Sequence, residues 1–429
     1  MNSTQNKKLE QVKSTTLIIG IDIGSETHYA RAFDWRGYEF SKAALRFENS
    51  EHGFTELMMW IQMIREQESK TDVLAGMEPT GHYWFSLGVF LKDNDIKPVL
   101  VNPFHVKRSK ELDDNSQTKN DRKDPKVIAG LVKDGRFTEP YIPEGVYAEL
   151  RTASNLRFRL EAELTSTKNR LARWFSIYFP EYSKVYGKKD AVSGMMILKA
   201  APLPEDIIEL GTDGINRIWR DAKLRAVGIK RATNLVEAAK QSVGIRDGKE
   251  AARLEFRILE EEYEHKSEQL QEVMDLISRL IEKIPEAKRL LEIKGVVEKT
   301  VWGFLAEVGD LRRFKDPKQL QKYAGLAIVE NCSVKHKGQT TISKRGRKRL
   351  RYLLFEASMS LVAQNQEFKE IHKYYTTREK NPLKKMQSLT AIGCNLMRLF
   401  YTLFTKDVSY DAEKMRMDIR RTPEYQMAA

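Results

Sequence analysis

Four carboxylates are the side chains of this sequence whose types and spacing best suit shared chemistry. Asp22 interrupts an apolar run, LIIGIDIG, and Glu78 directly follows a second apolar run, VLAGM. Asp121 and Asp124 stand three residues apart in NDRKDPK, so a helix there places both on one face. Oxygen ligands select a hard cation, and four carboxylates can hold two such ions about 4 Å apart around a phosphoryl displacement. The simpler alternatives are a turn after Asp22 and a solvated helix cap at Asp121 and Asp124.

Candidate nucleophiles lie in a second stretch, 331–351, which is NCSVKHKGQTTISKRGRKRLR. It offers two hydroxyls, Ser333 and Ser343, and one thiol, Cys332. A serine attacks a phosphate only when its proton is taken up and the phosphate charge is offset. The stretch has eight Lys or Arg and no acid, a density that favours a polyanion groove over an ordinary solvated face. The basic residues of this predicted nucleic-acid-binding surface are Lys335, Lys337, Lys344, Arg345, Arg347, Lys348, Arg349 and Arg351.

The elements that must position the carboxylates lie in the first third of the chain. Apolar patterns predict strands at 17–24, 27–33, 38–45, 73–77 and 98–102, and helices at 54–66 and 83–91. Ser50 is the predicted N-cap of the first of these helices. Three hairpin-linked strands followed by helix, strand, helix and strand resemble the ribonuclease H fold, including its RuvC branch. In that fold the acids lie on the first strand, after the fourth and on a later helix, which implies a site of Asp22, Glu78, Asp121 and Asp124.

Composition narrows the class of partner. Lys and Arg number 73 against 60 Asp and Glu, and the resulting net charge of +13 favours a polyanion. No apolar run has the length of a membrane span, and the first residues lack the apolar core of a signal peptide. The two cysteines, Cys332 and Cys394, are too few for a disulfide framework or a zinc site. We therefore expect a cytoplasmic protein without membrane contact.

The middle of the chain is predicted to be helical. Apolar heptad seams at 146–174 and 256–284 favour coiled-coil packing, within the chain or between copies of it. Between them, aromatic residues such as Trp219 are interleaved with basic residues such as Arg220 and Lys223. This pattern suits stacking on unpaired bases and contact with phosphates, but it is also typical of a small helical core with a solvated face.

Two further motifs bear on function. The segment IKGVVEKTVWGF resembles a helix-hairpin-helix element whose tight turn lies at Gly295. A rival interpretation starts from GIDIGSETHYA, which resembles the first phosphate loop of sugar kinases and actin-like ATPases. Those folds need a second such loop and a later adenosine-binding glycine pair. The sequence contains neither, and its basic charge fits that interpretation poorly.

The motifs together resemble the insertion-sequence transposases related to the Piv DNA invertase, also called DEDD serine recombinases. The matching segments are IIGIDIG, AGMEPTGHYW, NDRKDPK and, most specifically, YAGLAIVENCSVKHKGQTTISKRGRKRLRYLLFEAS. Relatives typically have a proline after AGL and a Ser-Ser-Gly in the serine loop, whereas Ile328 and Cys332-Ser333-Val334 stand here. The register against the family places the nucleophile at Ser333, with Ser343 as the second candidate.

The resemblance implies an α/β plus α chain with a mixed-sheet domain, a helical middle and a mainly α C-terminal domain. The implied parts are a flexible tail at 1–15, a RuvC-like ribonuclease H-fold domain at 16–144, a coiled-coil helical region at 145–284, a transposase domain at 285–407 that carries the serine and the helix-hairpin-helix-like element, and a tail at 408–429.

The resemblance also implies a reaction and its partners. Ser333 attacks a DNA phosphate, forms a 5′-phosphoserine link and frees a 3′-OH, while Mg²⁺ or Mn²⁺ held by the four acids stabilises the developing charge. The implied partners are a structured bridge RNA, donor and target double-stranded DNA, and further copies of the chain in a dimer or tetramer that acts at the bacterial nucleoid. A metal-dependent RuvC-like nuclease, such as a Holliday junction resolvase without a covalent intermediate, and a non-catalytic nucleic-acid-binding protein are the alternatives.

Overall fold

The structure, a computed structural model, describes residues 3–41, 43–113, 124–188, 190–329, 332–333, 336–337 and 340–415. The chain divides into two compact units, Met1–Ile142 and Pro143–Ala429. The predicted order of a mixed sheet followed by a mainly helical remainder is confirmed. None of the helices among the described residues is long and apolar enough to cross a lipid bilayer.

A six-stranded mixed sheet organises the first unit. Its strands are β1 Thr16–Asp22, β2 Thr27–Phe33, β3 Leu45–Glu48, β4 Asp72–Met77, β5 Lys97–Val101 and β6 Phe137–Thr138. They lie in the order β3-β2-β1-β4-β5-β6, with β1 antiparallel to β2 and parallel to β4. The apolar residues of β1 are buried on both faces of the sheet, as its continuous apolar run predicts.

Among the described residues of this unit, five helices accompany the sheet. They are α1 Ser3–Leu9, α2 Glu51–Gln67, α3 Trp84–Asp93, α4 Pro103–Asp113 and α5 Asp124–Lys133. Ser50 caps α2 as predicted, because its side chain accepts a hydrogen bond from the Gly53 N–H. The sequence predicts a flexible tail over 1–15, but α1 lies within it. This helix is tied to the sheet because the Lys8 ammonium donates to the Phe137 carbonyl oxygen.

The third strand lies farther along the chain than predicted. The sequence predicts a strand at 38–45, whereas β3 begins at Leu45. A turn follows β2, with Gly37 at φ +95°. The Asp34 carboxylate accepts from the Tyr38 N–H, and only a short bridge joins Phe33 to Glu39 before the segment leaves the sheet. The polar side chain of Asp34 therefore shapes a wider connection than a simple hairpin.

The second unit is mainly helical. Its helices are α6 Gly145–Tyr178, α7 Tyr182–Val185, α8 Val192–Ala200, α9 Pro204–Asp221, α10 Ile229–Lys240, α11 Lys249–Glu282, α12 Glu286–Leu291, α13 Glu298–Val308, α14 Pro317–Ala324, α15 Lys348–Gln364, α16 Gln366–Thr377 and α17 Lys385–Thr405. Two-residue strands form two small sheets, in which β7 Ile328–Val329 pairs with β10 Thr341–Ile342 and β8 Cys332–Ser333 pairs with β9 His336–Lys337. The predicted tail at 408–429 lies largely outside the described residues.

The two predicted heptad seams coincide with α6 and α11, which pack against each other in antiparallel directions. The Trp174 indole donates to the Ala252 carbonyl oxygen over 2.9 Å, and farther along the pair Lys266 lies 3.9 Å from Glu163. The helices thus carry side-chain contacts along their common length. Whether this packing is a coiled coil in the strict sense stays a prediction.

The aromatic residues interleaved with Lys and Arg in the middle of the chain are part of a buried core. Trp174, Tyr182, Tyr186 and Trp219 are buried together in one apolar cluster with α11 residues such as Phe256. A buried ring offers no face to a nucleic-acid base, so these four aromatics form a helical core. The described Lys and Arg side chains between α6 and α11 remain on the surface.

Candidate functional site

Two of the four predicted carboxylates stand at the carboxyl ends of neighbouring parallel strands. In the register of β1 with β4, Ile21 lies opposite Met77. Asp22 is the last residue of β1, and Glu78 directly follows β4. Parallel neighbours end at the same edge of a sheet, so the fold brings the two acids side by side although 56 positions separate 22 from 78.

A pair of glycines brings the third carboxylate to this edge. Gly20 and Gly76 face each other in the same register and leave a flat floor for α5. A Cβ atom at Gly20 would overlap the Pro125 carbonyl oxygen, and one at Gly76 would overlap the Val132 side chain. Side chains two apart in a strand share a face, so Asp22 lies on the α5 side of the sheet. Asp124 is the first residue of α5 and directly precedes Pro125, the residue that lies against Gly20.

Lys110, at the end of α4, completes the cluster. Its ammonium group pairs with the Asp124 carboxylate, which is only 7% exposed. Burial raises the pKa of Glu78; the Lys110 charge opposes this rise, and the Asp124 charge adds to it. Glu78 therefore lies within electrostatic reach of both partners. The sequence analysis missed Lys110, although Asn102-Pro103 is a usable start signal for α4, because the Asn102 side chain accepts from the Phe104 N–H.

The donor chemistry of the cluster fits a hard divalent cation, since its acids offer only carboxylate oxygens. The Lys110 ammonium occupies a cation's place beside Asp124, which shows that this carboxylate attracts positive charge. Within the described ranges no three acidic, His or Cys side chains stand close enough to form a finished metal site. Asp121, the fourth predicted ligand, lies outside the described residues.

His28 supports the turn that follows Asp22. The Gly24 N–H donates to its Nδ1 over 3.2 Å, and the ring is 0% exposed. Burial lowers the pKa of His28, and Asn49 acts in the opposite direction. No partner for its Nε2 is found among the described side chains. A neutral imidazole thus holds the backbone two residues beyond a predicted ligand, a role that the sequence analysis did not anticipate.

The predicted nucleophile, Ser333, belongs to the second unit. It lies in β8, opposite His336 of β9. The side chains of this hairpin, including those of Cys332 and Lys337, lie outside the described residues, as does Lys335 altogether. The structure therefore gives the backbone pairing of Ser333 but no contact of its hydroxyl.

The basic loop that follows Ser333 folds onto the end of α14. The Lys344 N–H donates to the Gly325 carbonyl oxygen over 2.9 Å, and the Arg347 N–H donates to the Tyr323 carbonyl oxygen over 3.0 Å. Gly346 has φ +157°, and a Cβ atom there would overlap the backbone of Tyr323 and Gly325. The SKRG turn, which contains Ser343, is thus fixed by its backbone.

The predicted basic surface divides into two groups. Arg347 donates to the Tyr323 hydroxyl over 3.0 Å, Arg351 donates to the Ala324 carbonyl oxygen over 2.9 Å, and Arg349 pairs with Asn155. These three side chains stabilise the unit itself. The basic side chains of this stretch that are exposed and have neither an ion pair nor a side-chain hydrogen bond among the described residues are Lys344, Arg345 and Lys348.

Comparisons with known proteins match two parts of the chain to transposase families. Residues 19–180 match the model of the DEDD transposase domain of IS110, and residues 287–375 match the model described as the transposase IS116/IS110/IS902 family. The chain is 24% identical to the insertion element IS116 uncharacterized 44.8 kDa protein of Streptomyces clavuligerus, over 87% of this chain and 91% of that protein. It is 23% identical to the pilin gene-inverting protein of Moraxella bovis, over 92% of this chain and 97% of that protein.

Proposed function

Because the chain belongs to the IS110/IS116/IS902 family of insertion-element transposases, both of whose domains it carries, we propose that it cuts and rejoins DNA through a covalent serine intermediate. The observation that carries this proposal is that Asp22 and Glu78 lie at the ends of neighbouring parallel strands, with Asp124 within electrostatic reach of Glu78. The strand order supports a ribonuclease H-like, RuvC-related first domain. Both matched domains favour a recombinase over a simple nuclease.

The acids of the first unit are placed to hold a divalent cation against the phosphate that reacts. Asp22, Glu78 and Asp124, with Asp121, would hold Mg²⁺ or Mn²⁺, which supplies charge stabilisation to the phosphate oxygens when bound. Gly20 and Gly76 place α5, and with it Asp124, against the sheet. Lys110 holds the Asp124 carboxylate in position, and His28 fixes the turn after Asp22. The chain thus positions its acids through packing and hydrogen bonds of its own.

Ser333 supplies the nucleophile. Its hydroxyl oxygen bonds to the DNA phosphorus, its proton passes to a base, and the 3′-oxygen leaves and takes up a proton. The resulting 5′-phosphoserine link conserves the energy of the broken bond, so that a 3′-OH of the partner strand can later displace the serine. The exposed side chains of Lys344, Arg345 and Lys348 bind the DNA phosphate backbone near the phosphate that Ser333 attacks.

The family resemblance extends the proposal to a guide. A structured bridge RNA pairs with donor and target DNA, and the chain acts as a dimer or tetramer. The net charge of +13 favours polyanionic partners, and both DNA and RNA are polyanions. Sequencing the RNA that copurifies with the protein tests this part, and a discrete RNA with two DNA-complementary loops is expected.

A trapping experiment tests the nucleophile. The protein is incubated with a nicked DNA substrate, and the covalent adduct is digested and identified by peptide mass spectrometry. We expect the adduct to be attached to Ser333, to be lost in Ser333→Ala and to be retained in Cys332→Ala. Because Ser343 lies in the backbone-fixed SKRG turn, Ser343→Ala should weaken DNA binding without removing the adduct. An adduct that persists in Ser333→Ala would refute the assignment, and the absence of any adduct during active cleavage would favour a hydrolytic nuclease.

A further inference from the structure

The helical segment between α6 and α11 carries a concentration of positive charge that the reaction described above does not use. Positions 214–236 hold six Lys or Arg and one acid, Asp221, so six minus one gives +5 of the chain's net +13. All six basic residues are exposed. We name these six residues the α9–α10 patch: Arg217, Arg220, Lys223, Arg225, Lys230 and Arg231.

The fold gathers the α9–α10 patch at one end of a helical hairpin. Helices α9 and α10 pack against each other, and residues 222–228 connect them. The Lys223 N–H donates to the Arg220 carbonyl oxygen over 2.9 Å, so the chain turns immediately after α9. The Arg220 guanidinium donates to the Val227 carbonyl oxygen just before α10 and closes the turn. The six basic residues therefore lie at or near one end of the hairpin.

The described part of the chain supplies no ion pair to any of the six side chains of the patch. Other basic side chains nearby in the fold are paired, as Lys199 of α8 is with Glu264 and Arg253 of α11 is with Asp206. Like charges held together on a folded surface repel one another, and binding of a polyanion relieves that repulsion.

The burial of the aromatics indicates which polyanion fits. Proteins that hold unpaired bases stack them on exposed aromatic rings. Trp219, the aromatic residue within 214–236, is 0% exposed and donates its indole N–H to the Ser193 carbonyl oxygen. Tyr186 is buried beneath Arg231, whose guanidinium carbon lies 5.5 Å from the ring centre. The patch offers charge without a stacking platform, which suits a duplex whose bases are already paired.

We propose that the α9–α10 patch binds the phosphate backbone of double-stranded DNA, away from the reacting phosphate. The proposal rests on the DNA-directed function proposed above and adds to it a second, sequence-independent contact. It gives the inserted helical segment a role in holding the duplex, and it assigns no base specificity to that segment.

The test measures how DNA binding depends on salt. Full-length protein is titrated into labelled double-stranded DNA of arbitrary sequence in EDTA, and log affinity is plotted against log salt concentration. Arg217, Lys223 and Arg225 are replaced together by Gln, because Arg220 closes the turn and Arg231 covers Tyr186. The slope of this plot is negative, and each phosphate that is no longer neutralised makes it shallower by about 0.9. The slope of the triple variant should therefore be shallower than that of the parent by about 2.7.

A matched variant controls for the change in net charge. Lys188, Lys283 and Lys318 are exposed lysines of the same unit outside the patch, and their joint replacement by Gln should leave the slope near that of the parent. Equal slopes for the patch variant and the control would refute the proposal. Single-stranded DNA and an RNA hairpin are titrated in the same way. If the patch variant loses affinity only for one of these two probes, the assignment to duplex DNA is refuted. Because binding in EDTA requires neither the acids nor Ser333, failure of the proposed chemistry would leave this result unaffected.

Discussion

At the scale of single residues, the acids are held in a cluster in which a lysine balances part of the charge. Asp124 is nearly buried and paired with Lys110, while Glu78 has a raised pKa because it is buried and lies near another carboxylate. Neighbouring carboxylates repel each other unless cations compensate their charge. A carboxylate with a perturbed pKa is typical of functional sites, which fits the cation-binding role proposed above.

The first prediction follows for these acids. Asp22→Ala, Glu78→Ala and Asp124→Ala should each lower the rate of strand exchange by at least about a hundredfold, because preorganised charge at a reacting phosphate has effects of that size. DNA affinity in EDTA should fall little. Asp93→Ala, which removes an exposed acid from the end of α3, serves as the control and should retain the parent rate. Two acid variants that recombine DNA at the parent rate in Mg²⁺ would refute the metal-site assignment.

The second prediction concerns His28 and pH. Burial lowers the pKa of this side chain, so below its ordinary value of 6.5 the unfolded chain takes up a proton that the folded chain does not. Stability should therefore decrease as pH falls through this range, by at most about 1.4 kcal/mol per pH unit. The melting temperature of the parent should drop more between pH 7.5 and pH 5.5 than that of His28→Leu, these being about one unit to either side of the ordinary value.

His52 provides the control for this measurement, because its side chain is 80% exposed on α2. A His52→Gln variant should lose as much stability on acidification as the parent does. If His28→Leu shows the same pH dependence as the parent, the buried imidazole is not the group responsible.

At the scale of elements, the close approach of α5 to the sheet determines where Asp124 lies. The third prediction tests it with one pair of substitutions. Gly20→Ala inserts a methyl group against the Pro125 carbonyl oxygen and should cost about 1–3 kcal/mol, while displacing α5 and lowering activity. Gly130→Ala lies within α5, where nothing is within 4 Å of the added carbon, and should stabilise the helix by up to about 1 kcal/mol.

Melting temperature and strand-exchange rate together measure this pair. Equal melting temperatures for the two variants would show that α5 does not rest on Gly20 as described. A destabilised Gly20→Ala with full activity would show instead that the position of Asp124 tolerates movement of the helix.

The elements also show what the sequence could predict. The buried run of β1, the Ser50 cap of α2 and the acids at the ends of β1 and β4 follow from local patterns, and the structure has these elements where they were expected. The connection before β3 was misplaced because it depends on the side chain of Asp34. Lys110 was missed because its partner is fourteen positions away on another helix. Contacts of that kind arise only from tertiary packing.

At the scale of the whole molecule, the net charge of +13 is unevenly distributed. The α9–α10 patch and the exposed bases Lys344, Arg345 and Lys348 are separate in sequence and belong to different parts of the second unit. The fourth prediction is that both contribute to salt-dependent binding. Replacing Lys344, Arg345 and Lys348 by Gln should flatten the salt plot by about 0.9 for each phosphate that these side chains neutralise in the parent.

The two sets of replacements should add. A variant that combines both triples should show the sum of the two slope changes, since side chains that bind phosphates at separate sites release separate counterions. A combined change equal to that of one triple alone would mean that the two surfaces bind the same stretch of DNA only in alternation.

The pairing of Lys110 with Asp124 has a practical consequence for handling the protein. Because a lysine of the chain already balances this buried carboxylate, the fold should not need a divalent cation to persist. Chelators can then be present throughout purification and storage, which prevents premature cleavage of bound DNA while the protein stays folded. Circular dichroism and the melting temperature should be unchanged in EDTA, whereas a loss of helical signal on chelation would show that a bound ion also maintains the architecture.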